Sequence, residues 1–157
     1  ADVLFYPCML DQVPILVQQA REAGFEGAIV GGDAWDCSDT SGKESYFNNT
    51  YYTNHYAPED PSEAVQAYVK SYTDTYGTDT LTSAGACYYD SVKMVAQAIE
   101  ASGTGATADI IKAMTGMTYE GVTGSFTLDE NGDPKKPITF VEFKDGAPVW
   151  RANVMPE

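Results

Sequence analysis

One short stretch of the sequence combines residues that could bind a charged ligand. It runs from Ile29 to Asp36 and contains an apolar pair, two glycines, a carboxylate, an indole and a second carboxylate. Such a run is typical of the carboxyl end of a buried parallel strand, where open α/β sheets bind ligands. We therefore expect Asp33 to contact a cationic group of a ligand. Gly and Asp are also common in solvated turns, so shaping a loop is the simpler alternative for Asp33 and Asp36.

A catalytic carboxylate pair is a second interpretation of Asp33 and Asp36, because two carboxylates in a cleft can act as acid and base or as nucleophile. The sequence offers no Ser/His/Asp set or phosphate-binding loop to support it. The single histidine, His55, is interpreted as an ordinary packed or surface residue. The sequence thus favours a binding protein over an enzyme such as a hydrolase, and it predicts no cofactor.

The cysteines show no spacing typical of a metal site. Cys8, Cys37 and Cys87 form no CxxC or Cys/His pattern, whereas structural zinc requires four such ligands. Cys8 and Cys37 each follow a predicted strand, which is compatible with a disulfide between neighbouring loops. Buried free thiols are the favoured state.

The composition limits the class of protein. The chain has 157 residues, of which 43% are hydrophobic and 20% are charged, and this indicates a folded domain with a real core. The 9 Lys and Arg against 23 Asp and Glu give a formal net charge of −14, which opposes binding to nucleic acid. No apolar run approaches the roughly 20 residues that span a bilayer. The sequence begins inside a strand-like run, so either targeting is absent or an N-terminal part is missing.

Asp33 belongs to a predicted strand–helix–strand unit. Val3 to Tyr6 and Gly27 to Gly31 are strand-like runs. Between them, Asp11 is expected to cap a helix whose apolar residues repeat at helical spacing, namely Val13, Leu16, Val17 and Ala20. Residues 2–31 are therefore predicted to form a unit of parallel type, with Asp33 at its exit.

Three helices are predicted after an aromatic strand at Tyr46 to Tyr56. The first has Asp60 as its N-cap and Pro61 as its first residue. Its expected core-facing residues are Val65, Tyr68, Val69, Tyr72 and Tyr76. The second runs from about Ala86 to Ser102, and its expected core-facing residues are Val92, Val95, Ala96 and Ile99. The third starts at Thr107.

Half-exposed strands are predicted in the tail, at Gly124 to Leu128 and Ile138 to Phe143, with a last short strand at Pro148 to Trp150. The acidic segment from Asp129 to Pro134 lies between the first two. It lacks the later Glu and the spacing of an EF-hand, so a turn is predicted there.

Several stretches, taken in order, carry a family resemblance. They are Ala1–Phe5, Gln19–Gly24, Gly31–Asp36, Tyr51–Pro61, Tyr89–Val92, Gly121–Gly124 and Asp129–Pro134. With them the sequence resembles the C-terminal half of a type I periplasmic substrate-binding protein of the branched-chain amino acid (Leu/Ile/Val) class, the receptor of an ABC importer. The resemblance implies an α/β fold with parallel sheets flanked by helices, in an incomplete two-lobed architecture.

The resemblance also implies a domain organisation. Residues 1–50 would be part of the second lobe, residues 51–118 a crossing segment plus first-lobe helices, and residues 119–157 a crossing segment and a return to the second lobe. Hinge motion would centre on the crossing segments at 51–56 and 119–124.

The site residues implied by the resemblance are four. Asp33 would hold the α-ammonium of an amino acid or similar small ligand, and Trp35 would border the same cleft. Met9 and Leu10 stand where relatives often have aromatic ligand contacts, which changes the expected ligand chemistry.

The resemblance implies partners and a location as well. An ABC permease and a periplasmic or cell-surface location are implied, and a sensing domain of the same fold without a transport role is the alternative. Because such proteins are about twice as long, the missing N-terminal half or a second copy of the chain is an expected partner.

Overall fold

The structure, a computed structural model, describes residues 1–78 and 80–156. In these ranges the strands are β1 (Val3–Phe5), β2 (Ala28–Gly31), β3 (Thr50–Asn54), β4 (Thr118–Gly121), β5 (Gly124–Leu128), β6 (Pro134–Lys135), β7 (Ile138–Lys144) and β8 (Ala147–Val154). The α-helices are α1 (Val13–Glu22), α2 (Glu63–Tyr76), α3 (Ser83–Ser102) and α4 (Thr107–Met114). Short 3-10 helices span Asp33–Trp35 and Glu44–Phe47.

The chain divides into two compact units. The first contains residues 1–60 and 138–154, and the second contains residues 61–137 with the last residues of the chain. Residues 119–137 thus group with the helices of the second unit. The sequence-based division at residues 50 and 118 concerned lobes and crossing segments and stays a prediction. The assignment of these units to the lobes of a larger protein stays a prediction.

The first unit is built on a mixed five-stranded sheet in the order β1-β2-β3-β7-β8. β1, β2 and β3 are parallel, whereas β7 is antiparallel to both β3 and β8. The predicted parallel strand–helix–strand unit is therefore confirmed. Helix α1 begins at Val13 with Gln12 as its N-cap, so the predicted cap at Asp11 was one residue early.

One face of this sheet carries the core of the first unit. The register places Leu4, Ile29 and Thr50 on the same face, and α1 packs there through Val13 and Val17. Phe47, Tyr52 and Phe143 add an aromatic cluster with ring centroids about 5 Å apart. Burying each large apolar side chain contributes on the order of 1.5–3 kcal/mol, so this face dominates the stability of the unit.

The opposite face of the parallel strands is apolar but exposed. Phe5 is aligned with Val30 and Tyr51 on this face, and its exposed fraction is 64%. Val3, two residues earlier on β1, is 54% exposed. Parallel strands are normally covered on both faces, so this surface, called the outer sheet face below, has the composition of a buried one.

Arg21 fixes the loops at the amino ends of β2 and β3. From the last turn of α1, its guanidinium donates hydrogen bonds to the carbonyl oxygens of Phe25 and Gly27 at 2.7 Å and of Asn48 at 2.8 Å. Burial lowers the pKa of Arg21. Because the acceptors precede two neighbouring strands, one side chain aligns the starts of both.

β3 is shorter than the aromatic strand predicted from Tyr46 to Tyr56. Residues Glu44–Phe47 form a 3-10 helix, and Asn49 has a left-handed backbone with φ 60°. Thr50–Asn54 then pair with β2 and β7. Aromatic residues favour strands, but the turn at Asn49 prevents the strand from starting before Thr50.

The second unit contains three α-helices and a three-stranded antiparallel sheet in the order β4-β5-β6. α2 begins at Glu63 with Ser62 as its N-cap, so the predicted start at Asp60 and Pro61 was wrong. The Asp60 carboxylate instead accepts a hydrogen bond from Asn153 Nδ2 at 2.6 Å within the first unit. The predicted turn before β6 is confirmed by Asp129, which accepts backbone bonds from Asn131 and Asp133.

α3 is apolar on two opposite faces. Its buried residues are Ser83, Ala86, Asp90 and Ala98. The residues predicted to face the core, Val92, Val95, Ala96 and Ile99, are instead exposed, and for Val92 the exposed fraction reaches 71%. Periodicity identified this apolar face, but it does not say whether the face packs within this chain. Likewise Val65 and Tyr68 of α2 are buried as predicted, whereas Tyr76 is exposed.

The exposed face of α3 forms a continuous row. Its members lie three or four residues apart and are Ala84, Tyr88, Val92, Val95 and Ile99. Such spacing places them side by side on one surface of the helix. This row is called the outer α3 stripe below.

Candidate ligand site at the carboxyl end of the sheet

The segments that follow β1, β2 and β3 meet at one end of the sheet. Because these strands are parallel, their carboxyl ends lie together. Met9 and Leu10 follow β1, Asp33 follows β2, and His55 follows β3 directly. The sequence predicted the first three as site residues. His55 was interpreted as an ordinary residue, since only the pairing of β2 with β3 brings it to this end.

The turn after β2 points Asp33 outward. A Cβ on Gly31 would lie 2.1 Å from the Trp35 ring, so only glycine lets the indole fold under the strand end. Hydrogen bonds from Trp35 N to Gly32 O and from Asp36 N to Asp33 O close the 3-10 turn. With the indole turned inward, the Asp33 side chain is left 62% exposed.

Trp35 is a core residue. Its side chain is fully buried, and its Nε1 donates a hydrogen bond to the carbonyl oxygen of Tyr6 at 3.1 Å. The expectation that Trp35 borders a ligand cleft does not fit this placement, because no part of the indole reaches the surface. Its role here is to join the turn after β2 to the segment after β1.

Asp33 and His55 form a pair at the surface. Asp33 Oδ2 lies 3.3 Å from His55 Nε2, and the His55 side chain is 47% exposed. The carboxylate predicted to bind a cation therefore already has a potential cationic neighbour within the protein.

Asn54 joins the segment that carries Asp33 to the segment that carries His55. It is buried at the end of β3, and its Nδ2 donates to Asp36 Oδ1 at 3.2 Å. Its Oδ1 accepts from the backbone N–H of His55 at 2.9 Å. Asp33 and Asp36 thus have different partners, which does not favour their interpretation as a catalytic pair.

The cysteines near the site are free thiols. Cys8 is buried beside Trp35, and burial raises its pKa. Cys37 is exposed, so the prediction of buried thiols was wrong for this residue, and the alternative of a Cys8–Cys37 disulfide is not formed. Within residues 1–78 and 80–156 no group of three or more His, Cys, Asp or Glu residues could hold a metal ion.

A polar cluster closes the same end of the sheet at β7 and β8. Asn153 donates to Asp60 and accepts from Thr139 Oγ1 at 3.0 Å. Thr139 pairs with Asn54 across β3 and β7, so the cluster continues the polar row begun by Asn54. No local pattern could have revealed it, because Asp60 and Asn153 are far apart in the sequence.

The second unit has a separate groove of about 430 Å³ between α2, α3 and β4. The residues that line it include Tyr68, Tyr89, Lys93 and Tyr119. Beside it, the buried carboxylate of Asp90 accepts hydrogen bonds from Tyr119 OH, Val122 N and Thr123 N at 3.2, 3.0 and 2.7 Å. Burial, and then Asp90, raises the pKa of Tyr119. Asp90 therefore holds the turn between β4 and β5 against α3.

The first unit thus has an α/β architecture whose three parallel strands end at an acidic edge. The family model described as periplasmic binding protein matches residues 1–148, so the chain belongs to this family. None of the curated protein sequences matches it. Among the described helices, none is long and apolar enough to cross a membrane.

Solved structures of substrate-binding proteins share the fold. A leucine-binding protein LivK from Thermotoga maritima is 26% identical to this chain, with a TM-score of 0.85. The match covers 99% of this chain and 45% of LivK. LivJ from Streptococcus pneumoniae, in complex with isoleucine, is 24% identical with a TM-score of 0.82 and the same coverage. A solute-binding protein from Rhodopseudomonas palustris, in complex with p-hydroxybenzoic acid, is 20% identical to this chain, with a TM-score of 0.79. The match covers 99% of this chain and 46% of that protein. The chain thus spans less than half the length of these proteins.

Proposed function

We propose that this chain is part of the solute-binding component of an ABC importer and binds an amino acid or similar small ligand. Asp33 is the residue that pairs with the ligand's ammonium. The observation that carries this proposal is the exposed Asp33 carboxylate, held by the Gly31–Trp35 turn at the carboxyl end of a parallel sheet. Ligands of open α/β sheets bind at this end.

Met9 and Leu10 are proposed to contact the apolar part of the ligand. Both follow β1 at the same end of the sheet as Asp33, and both are exposed. Neither side chain can stack as an aromatic ring or donate a hydroxyl, so they suit an aliphatic ligand side chain. The LivK and LivJ neighbours, described as binding leucine and isoleucine, support this choice.

An importer role adds a permease and an extracytoplasmic location, at the periplasm or cell surface. Membership of the periplasmic binding protein family supports both. A sensing domain of the same fold is the alternative, and ligand binding alone does not separate the two. A permease gene adjacent to the gene for this chain would favour the importer.

The outer sheet face and the outer α3 stripe are proposed to be covered by further polypeptide equivalent to the remainder of the related proteins. Those proteins contain more chain outside the matched region than inside it. Parallel sheets and helices that are apolar all round are normally buried on both sides. When the chain is alone, a second copy is the partner available to these surfaces.

Calorimetry with leucine tests the ligand proposal, using the protein that carries this chain. In a closed, dry cleft Asp33→Ala leaves the ligand's ammonium unpaired and should cost about 2–5 kcal/mol of binding. This corresponds to roughly 30-fold to several thousand-fold in affinity. Asp74→Ala is the matched control, because it removes an exposed carboxylate from α2 in the other unit. Equal affinities for Asp33→Ala and the control would remove Asp33 from the site.

A further inference from the structure

His55 lies beside the exposed carboxylate of Asp33. The 3.3 Å separation of Nε2 and Oδ2 is short enough for the imidazole to donate a hydrogen bond to the carboxylate. About half of each side chain remains exposed, so an incoming ligand can reach this contact. Exposed ion pairs of this kind contribute little free energy, and a competing cation can therefore displace one at small cost.

The position of His55 is built into the sheet. Its backbone N–H donates to the buried Asn54 side chain, which also donates to Asp36. The charged groups at this end include the carboxylates of Asp33, in contact with the imidazole, and of Asp36, reached through Asn54. The carboxylate of Asp60, which Asn153 binds, lies at the same end. Glu59 is a further carboxylate near this end, because burial, then Asp36 and then Glu59 raise the pKa of Tyr52 on β3. All of these groups are acidic, so His55 is the group among them that can carry a positive charge.

We propose that His55 is a further residue of the ligand site and competes with the ligand's ammonium for Asp33. This inference rests on the proposed function of Asp33. A neutral imidazole leaves the negative charge of Asp33 available to an ammonium group. An imidazolium neutralises that charge from within the protein, so the site then loses its preference for a cationic ligand.

The first test compares leucine affinity at about pH 8 and about pH 5.5, a window in which imidazoles titrate and neither charged group of leucine does. The protein that carries this chain should bind leucine roughly two- to fivefold more weakly at the lower pH, as expected for displacing one exposed pair. In His55→Gln the affinity should be the same at both values. A pH-independent affinity in the unaltered protein, or equal pH dependence in the variant, would overturn the role of His55.

The second test uses the fact that His55 is the sole histidine of the chain. Its imidazole Cε1–H signal in a proton NMR spectrum should move when leucine saturates the site at about pH 8, because the contact with Asp33 changes. Asp33→Asn should abolish this movement, while Asp74→Asn should preserve it. A His55 signal unmoved by saturating leucine would overturn the proposed contact.

The two proposals fail in different ways. Unchanged leucine affinity in Asp33→Ala overturns the proposed function and this inference with it. A large loss in Asp33→Ala, together with a pH-independent affinity, overturns only the competition by His55.

Discussion

The Trp35 indole donates a hydrogen bond to the Tyr6 carbonyl oxygen at 3.1 Å and so joins the segments that follow β1 and β2. These segments carry the proposed ligand contacts Met9, Leu10 and Asp33. Trp35, which was expected to meet the ligand, is therefore buried behind the surface, where it supports the residues proposed to do so.

Removing this hydrogen bond should destabilise the first unit. Trp35→Phe keeps an aromatic ring but removes one of the two donors to the Tyr6 carbonyl, which also accepts from Cys8 N. The smaller ring also leaves a cavity in the core, so together we expect a loss of about 1–3 kcal/mol. Trp150→Phe is the control, because its indole makes only a 3.4 Å contact with Asn153 at an exposed position. Urea unfolding followed by circular dichroism measures both. A larger loss for the Trp150 variant would contradict the assigned role of Trp35.

Adding one methyl group at Gly31 should destabilise the first unit about as much as Trp35→Phe does. The Cβ of Gly31→Ala would overlap the Trp35 ring, whereas a Cβ on Gly32 meets nothing within 4 Å. Overpacking typically costs 1–3 kcal/mol, so we expect about that loss for Gly31→Ala and little change for Gly32→Ala. Thermal unfolding of the two variants measures the difference. If both unfold at the same temperature, the indole does not occupy the space under the strand end.

Asp90 should control the turn between β4 and β5. Its two carboxylate oxygens accept from a tyrosine hydroxyl and two backbone N–H groups. Asp90→Asn keeps the shape but replaces one acceptor by a donor, so at least one buried N–H loses its partner, at about 1–3 kcal/mol. Amide hydrogen exchange at Val122 and Thr123 should accelerate. The control Asp74→Asn should leave both amides as protected as before, and unaltered exchange in Asp90→Asn would refute the assignment.

The outer α3 stripe should make the isolated chain self-associate. We expect light scattering to report a dimer or larger species at both low and high salt, because apolar burial rather than charge holds it together. Val92→Glu combined with Val95→Glu should shift the chain toward monomer, while Gln97→Glu, outside the stripe, should not. A compact monomer that unfolds cooperatively and binds an amino acid tightly would contradict the incomplete architecture.

The sequence predicted well those elements whose signals are local. Strand runs at Val3 to Tyr6 and Gly27 to Gly31, on both sides of a helix with apolar residues at helical spacing, indicated the parallel unit. It failed where a distant partner decides the outcome. Asp60 has a typical N-cap side chain and is followed by a proline. Its carboxylate nevertheless accepts a hydrogen bond from Asn153, and α2 begins only at Glu63.

The candidate site was predicted in part for the same reason. The Gly-Gly-Asp pattern located Asp33, because a strand end and its turn are contiguous in the sequence. The neighbouring position of His55 depends on the alignment of Gly31 with Tyr52 across two parallel strands. The inward rotation of Trp35 depends on the space beneath Gly31. Neither relationship leaves a periodic signal in the chain.

The hydrogen bonds of Arg21 have a consequence for how this surface can change. They secure the loops at the amino ends of β2 and β3, at the end of the sheet opposite to Asp33. Alignment of the strands is thus anchored away from the residues proposed to select the ligand. Exchanges at Met9 or Leu10 should therefore leave the register of the strands unchanged, which makes these two positions the starting point for changing the proposed ligand preference.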